Sequence, residues 1–217
     1  MSQHLKSCLA PTHFRNLNMA QAQGAERMMI AHVEETRLGF AALGKNPEKS
    51  SLAALITALD FPYPHAHYLA AKALAERGEP SAIPVLIKKL DGATKTRDTV
   101  GFWWYCEALG RLRAKEALPG LAKYATAVNP AGTFGPEGMA AGYIAARTLA
   151  RIAGDCKQND VARLLKEENV WLRAGALRGL AEARAPGIEA LLEQAAEEDS
   201  PALVRSEARI QLKRLVK

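Results

Sequence analysis

The sequence is short of most features that betray a specialised class of protein. Three cysteines, Cys8, Cys106 and Cys156, are odd in number, widely spaced and never in a CxxC pair. That excludes a disulfide scaffold and a thiolate zinc knuckle. No apolar run approaches the roughly 18–20 residues that cross a bilayer. The first eighteen residues, MSQHLKSCLAPTHFRNLN, lack an uninterrupted apolar segment of the signal-peptide kind, so the expected location is cytoplasmic. β-branched residues are sparse and no alternating run occurs, which argues against a sheet. Aromatic residues make up only 6% of the chain. Neither charge sign dominates: 29 Lys and Arg stand against 23 Asp and Glu, for a formal charge of +6. That balance permits an anionic partner and selects none.

What the chain has instead is repetition. Residues 73–90 and 108–125 align without a gap at an offset of 35, with Ala82/Ala117, Pro84/Pro119, Leu86/Leu121 and Lys88/Lys123 coinciding. Each proline falls in the first turn of an expected helix, where its missing N–H has no intrahelical partner to lose. Leu52, Leu55, Ile56 and Leu59 follow the i, i+3, i+4, i+7 rule, as do Ile83, Leu86, Ile87 and Leu90. Helix pairs are therefore expected. Their breaks are placed at a Ser50/Ser51 cap, Asp60–Pro64, Gly78–Pro80 with Ser81 capping, Gly92–Asp98, Asn129–Gly138, Gly154–Asn159, Glu168-Asn169, Ala185–Gly187 and Asp199–Pro201. The last of these puts Ser200 at an N-cap and Pro201 at N1. An amphipathic pair cannot bury its face alone, so successive pairs should stack around one continuous core. The expected architecture is all-α: a right-handed α-solenoid of about five helix pairs over residues 50–217, an N-terminal capping helix over 19–49, and a loose tail over 1–18.

Particular residues carry a family likeness. Asn169-Val-Trp-Leu-Arg-Ala-Gly-Ala-Leu-Arg-Gly-Leu180 and Asp199-Ser-Pro-Ala-Leu-Val-Arg-Ser-Glu-Ala-Arg209 resemble the second helix of HEAT-like repeats. Gly78-Glu-Pro-Ser-Ala-Ile-Pro-Val-Leu86 resembles their inter-helix junction. The short units are similar to the phycobilisome-lyase-like group of these repeats. That resemblance implies the solenoid fold. For function it leaves three readings: a scaffold that binds a protein partner, a bilin lyase or tetrapyrrole chaperone working with a second HEAT-like subunit, or a nucleic-acid binder. A bilin or another tetrapyrrole is the implied ligand only under the second reading; otherwise no cofactor is expected. Iron-binding relatives use His-Glu pairs, and this sequence has none.

Aligned by their small core residues, the second helices enter at Ala66, Gly101, Ala141, Leu172 and Val204. The next position, arginine in the repeat pattern, reads His67, Phe102, Gly142, Arg173 and Arg205. One residue on stand Tyr68, Trp103 and Tyr143. A turn later come Lys72, Glu107, Arg147 and Arg178. Residues four apart share a helix face, so an aromatic column beside a charged column is expected on three adjacent helices. The candidate binding set is His67, Tyr68, Lys72, Phe102, Trp103, Glu107, Tyr143, Arg147, Arg173 and Arg178. Rings flanked by cations suit a partner's anchor residues, a flat anionic ligand or a flipped base. Phe102-Trp-Trp-Tyr105 occupies a whole helical turn, so at least one ring must be buried, and Tyr105 is the expected one. Phe134, in the 129–138 insertion, is a candidate cover for the groove.

No catalytic or metal-binding set is expected. His65 and His67 sit about 200° apart on a helix. His32-Val-Glu34 lacks the P-C-x-x-C of zinc deaminases. Gly132, Gly135 and Gly138 follow no strand, and Cys106 has no histidine in its motif. Trp103-Trp104 with Glu107 and Trp171 resemble the cleft of HEAT-like DNA glycosylases, although those enzymes use aspartate at another spacing.

Overall fold

The computed structural model describes residues 34–60, 64–96, 98–127, 136–198 and 201–216. The 1–18 tail, the first part of the 19–49 helix, Cys8, His32, Ser200, Phe134 and most of the 129–138 insertion lie outside the described residues. Contacts divide the chain into Met1–Ala42 and Leu43–Lys217. Residues 34–45 are helical, and the chain breaks at 46–48. Within the expected 19–49 segment the described helix ends at Lys45.

From Lys49 onward the chain alternates first and second helices. The first helices are α1 (Lys49–Ala58), α3 (Ile83–Thr96), α5 (Leu118–Ala127), α7 (Asn159–Leu164) and α9 (Ile188–Glu198). The second helices are α2 (Pro64–Arg77), α4 (Thr99–Arg111), α6 (Pro136–Ala153), α8 (Val170–Ala183) and α10 (Ala202–Leu215). No strand occurs among the described residues. Second helices contact one another in an unbroken series, α2 with α4, α4 with α6, α6 with α8 and α8 with α10, whereas successive first helices make few contacts with each other.

The aligned repeat positions are the core. Ala82, Ala117, Leu86 and Leu121 are all buried, and burial of each leucine stabilises by about 1.5–3 kcal/mol. Pro84 and Pro119 stand second in α3 and α5, each behind a short 3-10 turn at Pro80–Ala82 and Lys115–Ala117. The junctions repeat as closely. Gly78 and Arg113, 35 residues apart, both take the left-handed conformation. Each is followed by a Schellman bond, from Glu79 N–H to the Leu74 carbonyl and from Ala114 N–H to the Leu109 carbonyl. Arg184 repeats the arrangement with Ala185 donating to Leu180.

Several expected caps differ. α1 begins at Lys49 behind Glu48, and Ser51 is a buried helix residue. At the next junction the Glu79 carboxylate accepts from the Ser81 backbone N–H and hydroxyl, so the cap is acidic. α3 runs through Gly92 to Thr96, because Ala93 is buried and continues the apolar face. The connector is left so short that Asp98 caps α4 at Gly101 N–H, 2.8 Å away. Pro201 is itself the N-cap residue of α10 rather than N1.

The tightest crossing joins α6 to α8. Gly175 and Gly179, one turn apart on α8, lie against the backbone of Tyr143 and Arg147 on α6. A Cβ at either glycine would overlap the facing carbonyl oxygen. Glycine is required there because two backbones meet without side chains between them.

Candidate functional site

The four rings of α4 point to different surroundings, as about 100° per residue dictates. Tyr105 is buried, as expected, and burial pushes its phenol up to about 12. Phe102 is 1% exposed and meets Tyr124 edge-on at 6.1 Å. This corrects its expected place on the binding surface: the Phe102 position faces α5, not solvent. Trp104 is half-buried between two rings. Its centroid lies 3.6 Å from Tyr68 of α2 and 5.0 Å from Trp103, which stacks at 21°. Trp103 ends the stack at 45% exposure, and Val100, one turn earlier, is 52% exposed. The partner of Tyr68 is therefore Trp104, a residue absent from the expected column.

Tyr143 belongs to a different cluster. It meets Trp171 edge-on at 6.4 Å. Its hydroxyl accepts from Arg178 at 3.1 Å and donates to Glu207 at 3.4 Å. Burial holds its phenol above the usual range, with Glu207 adding to the effect.

The charged column closes on itself. Arg147 of α6 reaches Glu107 of α4 at 3.2 Å and Glu182 of α8 at 2.8 Å. Arg151 bonds Glu107 at 3.3 Å and lies 3.7 Å from Glu182. Arg178 bonds Glu182 and Arg111 bonds Glu107, at 2.9 and 2.8 Å. Three successive second helices are thereby cross-linked by four guanidiniums and two carboxylates, and Tyr143 extends the network to Glu207 on α10. Burial alone would raise the Glu107 carboxyl, but Arg111, Arg147 and Arg151 outweigh it and hold the group below its ordinary value. Burial likewise opposes the charge on Arg178, yet Glu182 and Tyr143 drive its pKa upward. Glu107 is thus kept ionised.

The remaining candidates scatter. Lys72 lies 3.9 Å from Glu76 on the outer edge of α2. His67 is half-buried within electrostatic range of Asp60. Arg173 turns away from the second-helix face and donates to the carbonyls of Glu167 and Glu168, ahead of α8. Cys106 is buried, and burial raises its thiol well above the ordinary range, an inert setting for a nucleophile. No group of three or more metal-type ligands occurs among the described residues. Of the ten expected residues, the structure brings together Tyr68 with Trp103 through Trp104, and Glu107 with Arg147, Arg178 and Tyr143. Two residues lie outside the expected set: Trp104, which the sequence singles out only for its likeness to the glycosylase cleft, and Glu182, one turn beyond Arg178.

No helix among the described residues is long and apolar enough to cross a membrane. No curated protein matches the chain. Residues 67–92 match the family model of the PBS lyase HEAT-like repeat, from the aromatic face of α2, across the Gly78–Pro84 junction, into α3. The described residues form an all-α array of helix pairs, and residues 67–92 within it match a HEAT-like repeat of the PBS lyase type, the group that the sequence resembles.

Proposed function

We propose that the protein is an interaction scaffold whose protein partner docks on the aromatic end of the second-helix layer, at Tyr68, Val100, Trp103 and Trp104. The observation that carries this reading is the exposure of Trp103 and Val100 above a ring stack that supports them. A rigid tryptophan with a packed support and an apolar neighbour has the character of an interface anchor. The second helices approach one another more closely than the first helices do. A continuous second-helix layer offers a partner one surface that runs across successive repeats. The charged residues beside it brace the helices and serve the partner only by fixing the platform. The test is affinity capture with wild type, Trp103→Ala and Val100→Asp, each checked for unchanged thermal unfolding. Loss of the same captured protein in both variants supports the reading, and retention in both overturns it.

A second reading rests on the family match, which contains Tyr68 and Lys72. Under it, the same ring stack receives a bilin or another flat tetrapyrrole, with a second HEAT-like subunit completing a lyase or chaperone. Titrating a free bilin and following its absorption band tests this. A shift lost in Trp103→Ala supports it, and an unshifted band with and without a partner subunit removes it. The nucleic-acid reading has less support: Arg147 and Arg178 face carboxylates, and Arg173 holds backbone carbonyls on the other layer.

A further inference from the structure

The first-helix layer has a gap that the aromatic face does not use. α7 has 6 residues, whereas α1, α3, α5 and α9 have 10, 14, 10 and 11. Where α7 stops, the apolar sides of its neighbours stay uncovered. The result is an open trough of about 720 Å³ between the 156–166 segment and the 186–198 segment. Leu165, Leu177 and Leu191 line its floor, and Ala162, Ala190 and Ala195 keep its walls low. Lys157 and Lys166 stand exposed on its edge, and neither has a carboxylate partner among the described residues. The Arg173 guanidinium adds a third cation. The one carboxylate of the lining, Glu198, accepts from Gln194 at 2.8 Å.

We infer that this trough receives a short amphipathic helix of a partner protein, apolar on one face and rich in carboxylates on its flanks. Such a helix supplies the length that α7 lacks. It buries its apolar residues at i, i+3 and i+4 on the three leucines and sets carboxylates against Lys157 and Lys166. A small anionic ligand fits less well. Small-molecule sites fix their ligand with convergent buried polar groups, and no buried side-chain polar atom lacks a partner among the described residues. The alanine walls instead allow a helix backbone to approach closely.

The test uses the full-length protein as bait for a displayed library of helix-forming peptides about fourteen residues long, the length of an ordinary helix. Enriched peptides are then measured by fluorescence anisotropy. The expected result is enrichment of acidic amphipathic sequences. Their affinity should fall about tenfold or more in Lys157→Glu/Lys166→Glu and in Ala190→Arg, and should weaken as salt rises. Trp103→Ala should leave it unchanged, which separates this site from the aromatic face. Absence of enrichment, enrichment of neutral or basic peptides, or affinity unaltered in both trough variants overturns the inference. So does self-association of wild type that disappears in Ala190→Arg, which would make a second copy the occupant.

Discussion

The two ends of the second-helix layer put the same helical positions to opposite uses. Between α2 and α4 the space is filled by rings: Tyr68 lies on Trp104, Trp104 on Trp103, and the last ring remains exposed. Between α6 and α8 the space is closed. Gly175 and Gly179 let the backbones meet, and the long side chains on either side run past the crossing and pair with one another. Neither glycine of α4 lies against α2, since Gly101 faces Asp98 and Tyr105 and Gly110 faces Arg151 and Thr148, and large side chains fill the interval. Backbone distance thus decides whether a repeated column becomes a brace or a surface. At the braced end Arg147, Arg151 and Arg178 are paired with Glu107 and Glu182, while the ring-filled end leaves Trp103 exposed.

The difference can be broken most sharply at the crossing. Gly179→Ala places a methyl group against the Arg147 carbonyl and Ala150. It should destabilise by about 3 kcal/mol, near the upper end of overpacking costs, read as a lowered urea midpoint. Removing one network partner comes next. Glu182→Ala leaves Arg147, Arg151 and Arg178 short of a carboxylate, and a loss of about 2 kcal/mol is expected for partly buried charged hydrogen bonds. Acid should act on the same end. The Glu107 carboxyl is depressed in the folded state, so its contribution is complete above the ordinary carboxylate range and is lost as pH falls through the folded value. A series of thermal melts from neutral to acid pH should therefore show a steeper decline for wild type than for Glu107→Gln. Equal slopes would count against the network. The smallest effect is a gain: Arg184 is exposed and left-handed at φ 51°, and Arg184→Gly should stabilise by up to about 1 kcal/mol.

Much of the repeat core and of the charged column was legible in the sequence, but not the column's meaning. The 35-residue offset located the buried Ala82/Ala117 and Leu86/Leu121 positions, and it also carries the Gly78 and Arg113 helix ends. The column arithmetic found Glu107, Arg147 and Arg178, which do converge. It did not reveal that they satisfy each other, because that depends on Glu182 and on the inter-helix distance set by two glycines. The aromatic run was visible on α4, yet periodicity alone put Phe102 outside and passed over Trp104. Which ring faces α2, α5 or solvent follows from how α4 is rotated in the layer, and a repeat alignment does not fix that rotation. The trough beside α7 went unforeseen because a short helix reads in sequence only as a shorter apolar pattern.

The most direct measurement of the central claim, that binding and bracing occupy separate ends of one layer, is capture and unfolding measured together on Trp103→Ala and Glu182→Ala. The account predicts that Trp103→Ala loses the captured partner while its unfolding free energy falls by no more than about 1 kcal/mol, the contribution of one aromatic pair. Glu182→Ala should unfold earlier yet still capture the partner below its transition. A Trp103→Ala protein that captures as wild type does, or a Glu182→Ala protein that unfolds normally and fails to capture, would contradict it.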